Sequence, residues 1–122
     1  MSSEGWMEIY GRVDEHPRWS REEKILARKA FEGALGREFE RLIRKVKEMA
    51  SKIEQPSQLW DLEYYLSQRR KEIDQKYDYR YSQLPMVFGL LIRERKLKEQ
   101  ELSGLGEDKI EHIRKWARLV RL

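Results

Sequence analysis

Cysteine is absent from this chain of 122 residues, and histidine occurs only at His16 and His112. Disulfide bonds, thiolate nucleophiles and cysteine-bound metals are therefore excluded, and so is a metal site built from several histidines. The sequence also lacks an apolar run of roughly 18 residues, which a membrane-spanning helix needs, and its first residues lack the pattern of a secretory signal. We therefore expect a cytoplasmic protein with no metal site and no membrane span.

Neither sign of charge dominates the composition. The 26 basic and 22 acidic residues leave a net charge of +4, and charged residues make up 39% of the chain, the same share as hydrophobic residues. With a mean hydropathy of −0.90, the chain cannot surround one large apolar core with a thin polar shell. Long amphipathic helices with outer faces of mixed charge accommodate such a composition.

Proline is scarce, and the three prolines divide the chain into segments. We expect an irregular N-terminal arm at residues 1–18, a dimerising hairpin of two long helices at residues 19–85, and a small helical head at residues 86–122. No strand-like alternation of apolar and polar residues persists, and no internal repeat is present. The fold class is predicted to be all-α.

The two long helices are predicted from apolar stripes. Ser20 and Glu23 have the spacing of a capping box, and apolar residues then recur every three or four positions as far as Ile53. A second stripe starts after Pro56 and continues through Tyr77 and Tyr81 to Pro85. An antiparallel pair of helices, each about 40–50 Å long, is too thin to bury both stripes. A helical dimer is therefore the expected assembly.

Motifs for catalysis or cofactor binding are weak. The glycine pairs in GALG and SGLG lack the strand, loop and helix that a phosphate-binding loop needs. Asp108 and His112 share a helix face, but no third metal ligand accompanies them. Acidic side chains on amphipathic helices are far more often solvated than paired for acid–base chemistry. We predict no catalytic residue, no cofactor and no enzymatic activity.

The segment from Trp60 to Tyr81 interleaves aromatic residues with charges of both signs. Such residues bury large areas and still offer hydrogen bonds, which is typical of protein-binding surfaces. Arg69 and Arg70 interrupt the apolar stripe, which indicates that something pairs with these cations. Arginine and aromatic residues together also suit single-stranded nucleic acid. The acidic residues of the same segment would repel phosphates and disfavour that alternative: Glu63, Glu72, Asp74 and Asp78.

The run LWDLEYYLSQRRKEIDQKYDYR resembles the second long helix of the fluorescence recovery protein family. The matching positions need no gap: Leu59-Trp60, Leu66-Ser67, Arg69-Arg70, Glu72-Ile73-Asp74, Lys76-Tyr77-Asp78 and Arg80. Weaker similarity before and after this run extends the resemblance over roughly residues 19–119.

The resemblance implies a non-enzymatic, cytosolic, all-α protein that forms an antiparallel homodimer through its long helices. Members of this family bind the C-terminal domain of the photoactivated orange carotenoid protein. They accelerate its return from the red to the orange form and help its release from the phycobilisome. The resemblance therefore implies a regulator of photoprotection that catalyses a conformational change in a partner protein.

Trp60 and Arg70 match family residues at the dimer interface and partner surface. The residues expected to bind the partner or close the dimer are Trp60, Glu63, Tyr64, Leu66, Arg70, Ile73 and Tyr77, with head contacts from Met86, Phe88 and His112. The sequence departs from the family pattern at four of them, where the family has a histidine, an aspartate, an aromatic residue and a lysine: Glu63, Tyr64, Met86 and His112. These departures leave a second hypothesis open, a divergent homologue that keeps the scaffold and dimer but serves another protein partner.

Overall fold

The structure is a computed structural model that describes residues 18–119. Regular structure in this range consists of helices: α1 (Arg21–Ser51), α2 (Pro56–Lys76), α3 (Leu84–Arg93), the 3₁₀ turn η1 (Glu99–Leu102) and α4 (Glu107–Leu119). The predicted all-α class is therefore confirmed for this part of the chain. The arm predicted at residues 1–18 lies outside the described residues apart from Arg18.

Helix α1 begins with the predicted capping box. The Ser20 hydroxyl accepts a hydrogen bond from the Glu23 amide at 3.1 Å, and the Glu23 carboxylate accepts one from the Ser20 amide at 2.9 Å. Two amides that the helix leaves without partners are satisfied in this way. The helix then continues for 31 residues and ends at Ser51.

Helix α2 ends at Lys76, so the prediction that it extends to Pro85 is wrong. The sequence YDYRY at residues 77–81 places an aromatic ring at every second position, which is the period of extended chain. Tyr77 and Tyr79 pack edge-on against Phe31 of α1, with ring centroids 5.4 and 4.8 Å apart. These contacts need both tyrosines on one side of the chain, which an α-helix would not allow.

The hydrophobic core lies where the N-terminal half of α1 meets the head. Three alanines on one face of α1 contribute to this core: Ala27, Ala30 and Ala34. Six larger side chains fill the space, all essentially without solvent exposure: Leu84, Val87, Phe88, Leu91, Leu102 and Ile113. The head is thus packed onto one end of the hairpin.

A buried ion pair ties the start of α1 to the start of α4. The Lys109 ammonium lies 3.0 Å from the Glu23 carboxylate, and both side chains are about nine-tenths buried or more. Glu23 also accepts a hydrogen bond from the Gly106 amide at 2.7 Å, and Lys109 donates to the Arg18 carbonyl. Every polar atom of the pair therefore has a protein partner, as burial of charge requires.

The far end of the hairpin has no core of its own. From Leu35 to Glu72, no described side chain is buried within this single chain. Helix α2 nevertheless runs back alongside α1, since Lys76 at its C-terminus lies 3.2 Å from Glu38. The apolar side chains of this half of the hairpin are therefore half-buried or exposed in the single chain, and none is fully covered.

Candidate functional site

An exposed aromatic surface lies on the first half of α2. Trp60 keeps 64% of its surface exposed, Tyr64 keeps 67%, and Leu59 beside them is also exposed. Trp60 and Tyr64 are four residues apart and so lie on one face of the helix. A contiguous exposed patch of large apolar side chains is typical of a protein interaction surface.

A groove between α1 and α2 adjoins this surface. It has a volume of about 430 Å³ and is lined by Phe39, Leu42, Glu63, Leu66, Ser67, Arg70 and Asp74. We call it the hairpin groove. Three of the residues singled out from the sequence meet in it, namely Glu63, Leu66 and Arg70. Phe39 is 44% exposed. We call the apolar side chains of the groove its floor, and they are Phe39, Leu42 and Leu66; Glu63, Arg70 and Asp74 are its charged residues.

Arg70 is held only weakly within the chain. Its guanidinium lies 3.9 Å from the Asp74 carboxylate, and its side chain is 85% exposed. An exposed i,i+4 pair of this kind contributes only about 0.3–0.5 kcal/mol. The guanidinium is therefore available to a carboxylate or carbonyl of another molecule at small cost.

Arg69 has a different environment from Arg70. It pairs with Glu72 and lies over the Tyr65 ring, 5.4 Å from the centroid. Its Nε atom is buried with no hydrogen-bond partner. The expectation that something pairs with both arginines is thus met for Arg69 within the chain, and only loosely for Arg70.

Ile73 and Tyr77 are among the predicted interface residues but lie apart from the hairpin groove. Ile73 is buried within the chain. The Tyr77 hydroxyl donates to the Glu38 carboxylate at 2.8 Å, and its ring packs on Phe31. Within one chain both side chains therefore hold the hairpin together at its head-proximal end, and their place in a dimer interface stays a prediction.

The three head residues also lie outside the groove. Phe88 is fully buried in the core, so its side chain does not offer the expected contact to a partner. It supports the head by packing inside it. Met86 on α3 and His112 on α4 are partly exposed. The match of Phe88 to the family pattern carries no information about its burial.

A cluster of charged residues joins the head-proximal end of the hairpin to the turn after α3. Glu38 accepts hydrogen bonds from Tyr77 and from Lys96, whose ammonium is 2.7 Å away, and Lys76 lies 3.2 Å from it. Burial raises the pKa of Glu38, but hydrogen bonds from Lys96, Tyr77 and Lys76 outweigh it and hold the pKa below its usual range. Burial and the hydrogen bond to Glu38 raise the pKa of Tyr77, so its hydroxyl remains a donor.

Replacing Tyr77 by phenylalanine is expected to cost about 1 kcal/mol of stability, because a partly buried hydrogen bond to an ionised group is lost. Urea unfolding at neutral pH measures this. Tyr64→Phe is the matched control, since its exposed hydroxyl has no protein partner among the described residues. Equal stabilities of the two variants would contradict the role given to the Glu38 cluster.

Phe39 and Leu42 also line the groove, although neither is among the predicted site residues. Both belong to the predicted apolar stripe of α1, which the hairpin alone is too thin to bury. Only the position of the head shows which part of that stripe is covered. The signal that could identify Phe39 and Leu42 is the length of α1. With 31 residues, this helix is too long for a head of this size to cover its whole apolar stripe.

Residues 18–119 contain neither a candidate membrane-spanning helix nor a candidate metal-binding cluster. No helix in this range combines the length and apolarity needed to cross a membrane. No group of three or more histidine, aspartate or glutamate side chains in the same range is arranged to hold a metal ion.

Comparisons with known proteins agree on one family. The sequence model of a family described as "photoprotection regulator fluorescence recovery protein" matches residues 19–117. The fluorescence recovery protein of Synechocystis sp. PCC 6803 is 41% identical over 101 residues, which cover 83% of this chain and 93% of that protein.

Solved structures give the same result. The fluorescence recovery protein of Fremyella diplosiphon superposes with a TM-score of 0.79 and 42% sequence identity, over 83% of this chain and 99% of that one. The structure from Synechocystis sp. PCC 6803 superposes with a TM-score of 0.79 and 40% identity, with the same coverage. The chain therefore belongs to the fluorescence recovery protein family, a family of photoprotection regulators and not of enzymes.

Proposed function

We propose that this protein binds the C-terminal domain of the photoactivated orange carotenoid protein, accelerates its return from the red to the orange form, and helps its detachment from the phycobilisome. The observation that carries this proposal is the exposure of Trp60 and Tyr64 on the same helix as an almost free Arg70, in a chain of this family. Aromatic and arginine side chains supply most of the binding energy at protein interfaces.

An accelerator of this kind acts through differential binding. A protein that binds the red form and the transition state equally well changes no rate. The exposed aromatic surface must therefore fit a partly converted partner better than the red form. No bond is made or broken, so no catalytic residue is needed for this activity.

We further propose that the working form is an antiparallel homodimer closed by the far half of the hairpin. The support is the absence of any buried side chain from residue 35 to residue 72 within one chain, together with the apolar floor of the hairpin groove. A second copy running in the opposite direction would cover Phe39, Leu42 and Leu66. The same contact would bring two Arg70 side chains and two aromatic surfaces into one assembly.

One observation favours a second candidate function. Tyr64 stands in the centre of the exposed surface where the family pattern has an aspartate, and Glu63 stands beside it where the pattern has a histidine. These two changes alter both charge and shape at the proposed contact. A divergent homologue that keeps the dimer and serves another protein partner is the alternative.

The first experiment measures the recovery of a photoactivated orange carotenoid protein in the dark, by absorbance, with substoichiometric additions of this protein. Acceleration with turnover supports the proposed function.

Trp60→Ala and Arg70→Gln are expected to remove most of the acceleration while leaving helix content unchanged. Lys47→Gln, an exposed cation on α1 outside the groove, is the matched control and is expected to retain full activity. No acceleration by a folded dimer, tested with several partner proteins, would favour the alternative.

The dimer is tested by Leu66→Glu, which places a carboxylate against the apolar floor of the hairpin groove. We expect a monomer by light scattering, because removing a carboxylate from water into a dry interface costs more than its attraction to the nearby Arg70 returns. Ile25→Glu makes the same chemical change at a side chain that is 62% exposed on the other end of α1, and we expect it to remain dimeric. A Leu66→Glu protein that stays dimeric would contradict the proposed interface. Ile73→Glu is less informative because Ile73 is buried in the chain itself.

A further inference from the structure

A second cleft lies on the head side of the hairpin, at the junction of α1 with the turn between α3 and η1. It has a volume of about 410 Å³ and is lined by Arg37, Arg41, Arg95, Lys96, Leu97, Lys98 and Glu101. We call it the basic cleft. Five of its seven residues are cations and one is an acid, whereas the chain as a whole carries 26 cations and 22 acids.

Two of the five cations are used within the chain. Arg37 donates to the Lys96 carbonyl at 3.0 Å and to the Glu101 carboxylate at 3.1 Å. Lys96 pairs with Glu38 and Glu94, at 2.7 and 3.2 Å. These contacts fix the walls of the cleft and use its nearest carboxylates.

The other three cations have no such partner. Within residues 18–119, no carboxylate lies at ion-pair distance from Arg41, Arg95 or Lys98. Cations near the C-terminus of α3 also offset its helix dipole, which accounts in part for Arg95. That effect does not apply to Arg41, which lies in the middle of α1.

The backbone at Arg95 strengthens the case for a role of its side chain. Arg95 has a φ angle of 62°, and the amide of the next residue, Lys96, bonds to the Leu91 carbonyl at 2.8 Å. This is the geometry of a helix C-terminus at which glycine is the favoured residue, and a side chain there costs about 1 kcal/mol. Arginine therefore occupies a position at which the backbone favours glycine. Its side chain lines a cleft that already has an excess of cations.

The basic cleft is separate from the hairpin groove. Residues Arg37 and Arg41 are four apart and share one face of α1, whereas Phe39 is about 200° around the helix from Arg37. A molecule in the basic cleft would therefore contact a different side of α1 from a second copy bound at the hairpin groove.

We propose that the basic cleft binds an acidic segment of a partner protein, whose aspartate or glutamate carboxylates pair with Arg41, Arg95 and Lys98. Guanidinium groups bind carboxylates through two parallel hydrogen bonds, which gives orientation as well as attraction. Glu101 lines the cleft, and Glu38 and Glu94 pair with Lys96 in its wall. These carboxylates would repel the continuous charge of a nucleic-acid backbone. A short acidic segment needs to reach only the three unpaired cations. This inference goes beyond the proposed function and does not depend on it.

The test uses the full chain and a fluorescently labelled peptide of six glutamates, with binding followed by anisotropy at low salt. We expect saturable binding that weakens as salt is raised, and no binding of the corresponding glutamine peptide. Arg41→Gln combined with Arg95→Gly is expected to weaken binding about tenfold or more. Glycine suits the positive φ angle at residue 95, so loss of binding would not be explained by unfolding; the melting temperature of the double variant is measured alongside.

Arg21→Gln combined with Lys47→Gln is the matched control, because it removes two exposed cations of α1 that lie outside the cleft. It is expected to leave peptide affinity within about twofold of the parent protein. An equal loss of affinity in both double variants would show that only the overall charge matters and would overturn the proposal. Absence of peptide binding at low salt would also overturn it. Tighter binding of a random single-stranded oligonucleotide, lost in the cleft variant, would overturn it by assigning the cleft to nucleic acid.

Discussion

Replacing Gly89 by alanine is expected to destabilise the protein by about 3 kcal/mol, because the added methyl group overpacks the contact between α3 and α4. A Cβ atom at this position would lie 2.6 Å from the Trp116 Cβ, and 2.9 Å from both the Ala117 nitrogen and the Ile113 oxygen. Two of these three atoms belong to the backbone of α4 and cannot rotate away. The two helices would have to separate, and the core around Phe88 would open with them.

Urea unfolding followed by circular dichroism measures this loss, with Gly36→Ala as the matched control. Gly36 lies in the middle of α1, and a Cβ atom there would meet nothing within 4 Å. Because alanine favours a helix over glycine, the control is expected to gain up to about 1 kcal/mol. A Gly89→Ala protein as stable as the Gly36→Ala protein would contradict the close approach of α3 and α4.

Replacing Glu23 by glutamine is also expected to cost about 3 kcal/mol, since it leaves the Lys109 ammonium buried without its carboxylate. Lys109 is 4% exposed, and the remaining acid within reach is Asp108, at 3.6 Å and largely exposed. Lys109→Met is expected to cost less, because the Glu23 carboxylate keeps its hydrogen bonds from the Ser20 and Gly106 amides.

A double-mutant cycle separates the pair from its surroundings. The protein with both Glu23→Gln and Lys109→Met is expected to lose less stability than the sum of the two single losses, because neither charge is then left alone. Additive losses would mean that the two groups do not interact. In that case the joint between α1 and α4 would depend on the backbone hydrogen bonds alone.

The same pair predicts how stability depends on pH. Burial raises the pKa of Glu23, but hydrogen bonds from the Ser20 and Gly106 amides and from Lys109 outweigh it and lower the pKa to about 2. Because the folded-state pKa lies below the ordinary value of 4.5, Glu23 stabilises the fold fully above pH 4.5. This stabilisation is lost as the pH falls from 4.5 towards 2. Glu23→Gln is expected to flatten the stability profile in that window, and an unchanged profile would contradict the assignment.

These two joints connect stability to the proposed activity. Gly89 sets the distance between the head helices, and the Glu23–Lys109 pair ties the head to the start of α1. The hairpin groove and the exposed aromatic surface lie beyond the region that the head covers. Loosening of either joint is therefore expected to lower stability first, whereas changes at Trp60 or Leu66 are expected to act on binding or assembly.

Local signals in the sequence predicted the parts of the fold that depend on neighbouring residues. The capping box at Ser20 is found in the structure because both of its hydrogen bonds join residues three apart. Pro56 begins α2 because its fixed φ angle suits the first turn of a helix. The stripe of α1 was recognised for the same reason, since its period is a property of the helix itself.

The end of α2 and the burial of the site residues were not predictable in this way. The tyrosines at positions 77 and 79 fit a helical stripe as well as an extended segment, and only their contacts with Phe31 select the latter. Phe88 and Ile73 look like exposed interaction residues when the family pattern is read alone, but packing within the chain buries both. The groove residues Phe39 and Leu42 carry the same hydrophobic signal as the covered part of α1.

The sequence by itself determined the all-α class, the start of both long helices and the family, because each depends on local spacing or on residues that can be matched one by one. The tertiary structure decided which half of the hairpin the head covers, which aromatic residues remain exposed, and where the unpaired cations of Arg41, Arg95 and Lys98 meet. The physical reason is that burial and charge pairing join residues far apart in the chain, and no local pattern records which of several equivalent apolar stripes will find a partner.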